Sequence, residues 1–592
     1  MISAQRVIAT GSPRFQSRQL TQLAVTRGTD AAWAAACGDG IAAAAAGASG
    51  DFSVAVIDTY GRTHLAVDRF SIQPLCYRVV GKQVRFAARA DALVQAHTEI
   101  DPQAIFDYLF FHTIPSPRTI FKDVFRLPPG HCAVFDDGQV NVAPYWVPAF
   151  GAQASETFAD LRAEFLDLLR RSVADQLDGT QAACYLSGGT DSSTVAGMIA
   201  SLGEGPAASY SIGFDANGYD EMAYARIAAK RFGTVQHEYY VTPQDLVQSI
   251  ARVATHYDQP FGNSSALPAY YCAAMARADG VTRILAGDGG DELFGGNTRY
   301  ATQRIFNWYA TLPHALRTKA IEPMLGHTSL RRLPLLRKAA SYVDQASTPM
   351  PMRLHAYNLL NRLGPDNVLT PEFLNQVNPK TPLAEQERAW QLASTDSQLQ
   401  RNLAFDWRYT LAENDLPKVC GTARLAGIEA GFPLLDQRLL DFSLKLPERY
   451  KVNGSQLRWF FKEALRDFLP DEILTKQKHG FGLPFGVWAC RHPGLQALAR
   501  DSLQSLGERG VVRPDFINTL LTHRLPQHPG YYGEMVWILM MLEQWLRQHA
   551  PTYRIDSPSL GQTPRASADA TAPRHRKSAN SVIARPSGRG DP

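Results

Sequence analysis

Between Asp51 and Phe150 short apolar runs alternate with brief polar turns. Phe52-Ser53-Val54-Ala55-Val56-Ile57-Asp58 reads as a strand turning at Tyr60-Gly61, Leu65-Ala66-Val67-Asp68-Arg69 as the next, and Gly81-Lys82 turn the chain into Val84-Arg85-Phe86-Ala87. This is hairpin spacing. Pro115, Pro117, Pro128 and Pro129 then punctuate the chain up to Phe150. After Phe150 the period lengthens. Thr157 to Gln176 reads as an amphipathic helix, Cys184-Tyr185-Leu186 as a short buried strand and Ser192 to Ala200 as a helix. Further strands are expected at Ser209–Phe214, Gln236–Tyr240 and Ile284–Ala286, with a helix from Tyr219 to Phe232. Strand–helix alternation of this kind predicts an α/β unit with a parallel sheet covered on both faces. From Gln303 to about Arg547 the pattern is mostly helical.

A chain of 592 residues exceeds one hydrophobic core. The expected division is a β-rich unit over 1–150, an α/β unit with a helical extension over 151–550, and a tail over 551–592. The tail is rich in Pro, Ser, Ala and Arg and poor in large apolar residues; it reads as a disordered end, with a basic interaction arm as the alternative. Lys plus Arg is 60 and Asp plus Glu 56, a balance that gives no reason to expect nucleic acid or membrane as partner. The seven cysteines are scattered, with no CxxC pair and no His cluster at metal spacing, so a zinc site or disulfide framework is not expected. The alanine-rich stretch Ala31–Ala48 is too short and broken to span a bilayer, and no signal-peptide core precedes it. A cytoplasmic enzyme is the resulting expectation.

Two strings carry chemistry. Leu186-Ser187-Gly188-Gly189-Thr190-Asp191-Ser192-Ser193 stands between a predicted strand and a predicted helix. Its glycines let the backbone approach an anion closely, and free N–H groups at the helix start favour phosphate. The hydroxyls add donors, while Asp191 suits Mg²⁺. No GxxxxGK[ST] string is present. Gly287-Asp288-Gly289-Gly290-Asp291-Glu292-Leu293-Phe294-Gly295-Gly296 follows another strand, where α/β sheets place ligands. Asp291 is suited to share a metal with Asp191.

These strings, with Ser211-Ile212-Gly213-Phe214, Tyr219-Asp220-Glu221, His237-Glu238, Asp415-Leu416-Pro417-Lys418-Val419, Glu429-Ala430-Gly431-Phe432-Pro433-Leu434-Leu435-Asp436, Lys462-Glu463-Ala464-Leu465-Arg466 and Lys476-Gln477-Lys478-His479-Gly480-Phe481, resemble the asparagine synthetase family from about Asp51 to Leu546. The resemblance implies an adenine-nucleotide α-hydrolase-like (ATP-pyrophosphatase) fold, preceded by a truncated, inactive glutaminase-like (Ntn-type) remnant. It implies ATP and Mg²⁺ as cofactors. Nucleotide binding falls to residues 186–193 with Ile212 and Gly287, and metal binding to Asp191 and Asp291. A substrate carboxylate attacks the α-phosphorus, pyrophosphate leaves, and an amine then takes the acyl group and releases AMP. Lys478 matches the family lysine that meets phosphate and oxyanion charge. Asp288 stands where relatives place the group facing the amine. Glu429 is a second proton acceptor or a structural residue.

Glutamine-hydrolysing members begin Met-Cys; here Met1 is followed by Ile2. The thiolate that would release ammonia is therefore expected to be absent. Gly431 replaces the family's Arg and Cys420 its Asp, changes expected to alter the acceptor pocket and to count against free aspartate. A peptide macrolactam synthetase, resembling the lasso-peptide cyclases, is the favoured expectation. It would join an Asp or Glu side chain of a precursor peptide to that peptide's own amine, with a processing protease as possible partner. An ammonia-dependent asparagine synthetase and a non-catalytic scaffold are the alternatives.

Overall fold

The computed structural model describes residues 4–555 except 152–153, 178, 180, 204–205, 327–333, 356–357 and 478–481. Lys478 and all but the first residues of the tail thus lie outside the described residues.

The N-terminal region is built on an antiparallel sheet. Strand β1 (Ala4–Gly11) pairs with β2 (Phe52–Asp58), β2 with β3 (Thr63–Val67), β3 with β7 (His131–Asp136) and β7 with β8 (Gln139–Pro144). A smaller sheet holds β4 (Cys76–Val80) between β5 (Gln83–Ala87) and β6 (Phe125–Arg126). The first turn forms because Asp58 accepts the backbone N–H groups of Tyr60 and Arg62, each at 2.9 Å. Residues before Asp51 are part of this unit. Helices α1 (Arg18–Arg27), α2 (Thr29–Ala36) and α3 (Ile41–Ala46) precede β2, and buried Trp33 of α2 packs at 5.1 Å from Phe15 and 5.0 Å from Phe52. Alanine richness here makes short helices packed on a sheet. The carboxylate of Asp68 accepts four backbone N–H groups, from Phe52, Phe70, Ile72 and Gln73, and so folds the loop after β3.

Helix α4 (Pro102–Phe111) is capped by Asp101 and buried almost throughout. It shares one apolar core with the long helix Pro529–His549, and the Tyr108 hydroxyl donates to the Ile538 carbonyl at 2.8 Å. Residues 90–124 therefore pack into the C-terminal half, although they fall within 1–150.

Next comes α5 (Phe158–Ala174), and then the parallel strands β9 (Ala183–Tyr185), β10 (Ala208–Phe214), β11 (Val235–Val241), β12 (Arg283–Leu285) and β13 (Glu429–Gly431). Their order is β11-β10-β9-β12-β13. Intervening helices are α6 (Thr190–Leu202), α7 (Met222–Phe232), α8 (Pro243–His256) and α9 (Ala266–Ala278). The α/β reading of this half holds, with boundaries moved by at most three residues. From β9 the chain winds outward to β11, then returns to lay β12 on the opposite side. The crevice beyond the carboxyl ends of β9 and β12 is thus the topological switch point, where such sheets bind ligands. Among the described residues no helix is long and apolar enough to cross a membrane.

Candidate active site at the switch point

Both chemical strings leave the sheet at this crevice. The Leu186 N–H donates to the Tyr210 carbonyl at 2.9 Å and the Ser211 hydroxyl to the Leu186 carbonyl at 2.7 Å, which fixes the start of the first loop. The Ser192 hydroxyl lies 3.0 Å from that of Ser187 and accepts the Ser187 N–H at 3.2 Å. Gly188 has φ +67°, and a Cβ there would come 2.4 Å from the Ala225 nitrogen; the turn requires glycine twice over. Gly189 caps α6 without a side-chain hydrogen bond, so the helix start keeps its free donors. The Thr190 and Ser193 hydroxyls are buried with no hydrogen-bond partner among the described residues.

The second loop interlocks with the first. A Cβ at Gly287 would lie 2.6 Å from the Ser192 nitrogen, and one at Gly290 would lie 2.5 Å from Asp191 Oδ1. Glycines at these positions let the short helix α10 (Gly290–Phe294) pack its first turn against that of α6.

A cavity of about 400 Å³ fills the crevice. Leu186, Ser187, Gly189, Thr190, Asp191, Ser192, Ile212, Gly287, Asp288 and Asp291 all line it. Gly188 and Ser193 lie just behind the lining and are buried. Asp191 and Asp291 do converge, and the cation they share is Arg458: its Nη1 is 2.8 Å from Asp191 Oδ2 and 2.6 Å from Asp291 Oδ1. Arg458 is buried, at φ +53°. Among the described residues no three His, Cys, Asp or Glu side chains are grouped to hold a metal ion. The pair nevertheless fits Mg²⁺ on chemical grounds, because that ion is ordinarily held by one or two carboxylates plus substrate phosphates.

The sequence also concealed two lysines. The Lys476 side chain is largely covered, 3.1 Å from Glu221 and over the Tyr224 ring at 4.5 Å, and donates to the Gly188 carbonyl at 3.4 Å. It therefore sits against the first loop, two residues from the expected Lys478. At the other end of the cavity, Lys418 Nζ is 3.0 Å from Asp415 and 3.8 Å from Asp288. Burial pushes the Asp288 carboxyl up to about 6, with Lys418 opposing the rise. Burial and neighbouring acids raise Glu292 well above the usual carboxylate range. Tyr185 also lines the cavity, and its hydroxyl is buried without a hydrogen-bond partner among the described residues. Among the described residues of this lining, the carboxyl groups of Asp191, Glu221, Asp288, Asp291 and Asp415 face three cations, with Glu292 holding its proton beside them.

Three expectations need correction. Glu429 does not reach the cavity: it pairs with Arg283 at the amino ends of β13 and β12, exposed, whereas the cavity opens at the carboxyl ends. A role in proton removal is not compatible with that position. Gly431 lines a different cavity of about 350 Å³ between the N-terminal and C-terminal halves, with Arg14, Asp68, Arg69, Arg283 and Asp436. A Cβ there would come 2.5 Å from the Gln176 amide oxygen. Cys420 lines a third, smaller cavity beside Tyr257 and Arg424. Neither departure from the family pattern shapes the cavity at the switch point.

Comparison with known proteins agrees with the geometry. The Asparagine synthase family profile matches residues 164–547, and the Glutamine amidotransferase domain profile matches residues 27–146. The chain is 24% identical over 485 residues to asparagine synthetase [glutamine-hydrolyzing] 1 of Bacillus subtilis (strain 168), covering 81% of this chain and 74% of that one. It is 26% identical over 457 residues to a putative asparagine synthetase [glutamine-hydrolyzing] of Mycobacterium bovis, covering 74% and 68% respectively. The amidase chyE of Penicillium rubens is 24% identical over 516 residues, covering 77% of this chain and 73% of its own. With one profile spanning well over half its length and the two loops interlocked at the switch point, the chain belongs to the asparagine synthase family and is an ATP-dependent carbon–nitrogen ligase.

Proposed function

We propose that this ligase adenylates an Asp- or Glu-type side-chain carboxylate and transfers the acyl group to an amine carried by the substrate itself, as in a peptide macrolactam synthetase. The observation that carries this reading is the acidic acceptor end of the cavity, where Asp288 and Asp415 flank Lys418. Every cation described there is already paired with a carboxylate. A free amino acid would need an unpaired cation for its α-carboxylate, whereas an incoming ammonium meets an excess of acid. The cysteines point the same way. Six of the seven are buried, and burial raises all seven thiols, so none supplies the ready thiolate that glutamine hydrolysis demands.

The residues have distinct tasks in this reading. The N–H groups at the start of α6 and the hydroxyls of Ser187, Thr190 and Ser192 cradle phosphate. Lys476, in the cavity lining, braces the loop through the Gly188 carbonyl. Asp191 and Asp291 would hold Mg²⁺, which supplies charge neutralisation for the departing pyrophosphate when bound. A carboxylate oxygen attacks the α-phosphorus and the bond to pyrophosphate breaks. The amine nitrogen then attacks the acyl carbon, its proton passes to the Asp288 carboxylate, and AMP leaves. Positioning and charge stabilisation carry most of such a reaction.

Two substrate sets separate this reading from an ammonia-dependent asparagine synthetase. Pyrophosphate and AMP are measured with L-aspartate plus ammonium, and with peptides bearing an Asp or Glu side chain and a free N-terminal amine. Release with peptide and loss of one water from its mass supports the cyclase. Release with aspartate and ammonium alone, giving asparagine, overturns it.

A further inference from the structure

We infer that the π-helical turn Trp407–Asp415 couples the N-terminal region to the acceptor end of the cavity, with Arg126 and Glu413 as positioning residues. The inference rests on the proposed amide-forming reaction only for its activity readout.

This turn is anchored at every exit. At its start the Trp407 indole N–H donates to the Glu292 carbonyl at 2.9 Å, on the cavity wall. At its end Asp415 holds Lys418, which faces Asp288. Between them Glu413 is held by Arg126 of the N-terminal sheet, by Ser116 and by Arg408. Its carboxylate accepts Arg126 Nη2 at 2.5 Å and the Ser116 hydroxyl and N–H at 2.6 and 3.2 Å, and it pairs with Arg408. Arg408 in turn donates to the Ser116 carbonyl at 2.6 Å. Tyr409 stacks on Phe111 with ring centroids 5.6 Å apart, and Asn414 accepts from Asn263 at 2.8 Å.

A π-helix closes its hydrogen bonds at i→i+5 instead of i→i+4 and is rare, found mostly as short stretches inside α-helices and frequently at functional sites. Here the turn is held by Arg126 of the N-terminal sheet and by Phe111 and Ser116, which belong to the 90–124 segment packed into the C-terminal half. Glu413 and Asp415 stand two residues apart in the same turn, one clamped by the N-terminal region and one holding the lysine beside Asp288. Releasing the clamp lets the turn relax toward ordinary α-helix, which rotates Asp415 relative to α6 and its loop. The hydrogen bonds of Glu413 end on Arg126, Ser116 and Arg408 and reach none of residues 186–193, so the nucleotide end keeps its geometry. The N-terminal region thus has a task in acyl transfer that requires no chemistry of its own.

The test uses full-length Arg126→Ala, with Arg126→Lys retaining the charge. Amide hydrogen exchange is followed in both without any substrate. The expected result for Arg126→Ala is faster exchange over residues 408–419 with unchanged protection over 186–194; unchanged exchange over 408–419 overturns the coupling. The second readout uses whichever carboxylate supports AMP formation among aspartate and the Asp- or Glu-bearing peptides. ATP–pyrophosphate exchange should stay within about twofold while amide formation falls about tenfold or more, and Arg126→Lys should recover part of the loss. Equal loss of both steps overturns the positioning role. If none of these carboxylates supports exchange by the wild-type chain, the proposed reaction fails, and hydrogen exchange alone still decides the coupling.

Discussion

The backbone of Gly287 lies so close to Ser192 that a Cβ on the glycine would come within 2.6 Å of the serine nitrogen. The contact joins the two loops that build the cavity. Gly287→Ala must push the start of α6 away from the crevice or strain both loops. Overpacking of this kind costs about 1–3 kcal/mol of stability, and a shift of the helix start by about 1 Å should lower pyrophosphate release about a hundredfold. Denaturant unfolding and a pyrophosphate assay check both; full activity with Ala at 287 would mean that the loops are not rigidly interlocked.

Arg458 binds Asp191 and Asp291 together. Replacing it by Met leaves two half-buried carboxylates facing each other without their cation, which should destabilise the fold. Those carboxylates are also the candidates for Mg²⁺. Millimolar Mg²⁺ should therefore raise the Tm of Arg458→Met more than that of the wild type. Equal shifts in a thermal-melt titration would argue against this pair as the metal site.

Asp288 titrates near 6 because burial raises it and Lys418 restrains the rise. Amide formation needs the carboxylate, so its rate should fall as pH drops through about 6. Removing the lysine charge in Lys418→Met takes away the restraint and should move this acid limb upward. Asp288→Asn should keep ATP–pyrophosphate exchange and lose amide formation. A limb that stays in place in Lys418→Met would separate Asp288 from the proton transfer.

Lys451 is buried, its ammonium over the Phe150 ring at 5.4 Å, and burial lowers its pKa from 10.5 to about 7. The folded state resists the proton that the unfolded chain accepts, so this residue destabilises most below pH 7. The penalty disappears as pH rises toward 10.5. Lys451→Met should raise Tm at pH 7 and gain progressively less at pH 9 and above. A gain independent of pH would show that packing, and not charge, is responsible.

Much of the site was legible because its chemistry is local. Glycines, hydroxyls and Asp191 follow one another along the chain, and strand-loop-helix context places them together at the cavity. Arg458 and Lys418 were not legible, since their roles depend on partners 267 and 130 positions away in sequence. Glu429 misled for a related reason: the family string containing it is real, but parallel register sets that string's first residue at the far end of the strand. In the N-terminal region, alanine repetition between residues 31 and 48 masked two short helices. Their packing is set by Trp33 between Phe15 and Phe52 and not by a periodic apolar face.

The central claim is that this cavity splits ATP between the α- and β-phosphates to make an amide. The most direct measurement follows α-³²P- and γ-³²P-labelled ATP with aspartate plus ammonium and with the Asp- or Glu-bearing peptides, resolving nucleotide and phosphate products and counting amide formed. AMP and pyrophosphate appearing in equal amounts with each amide bond, and abolished in Asp191→Asn, is the predicted result. Amide formed with ADP and phosphate, or AMP formation unaffected by Asp191→Asn, would contradict the account.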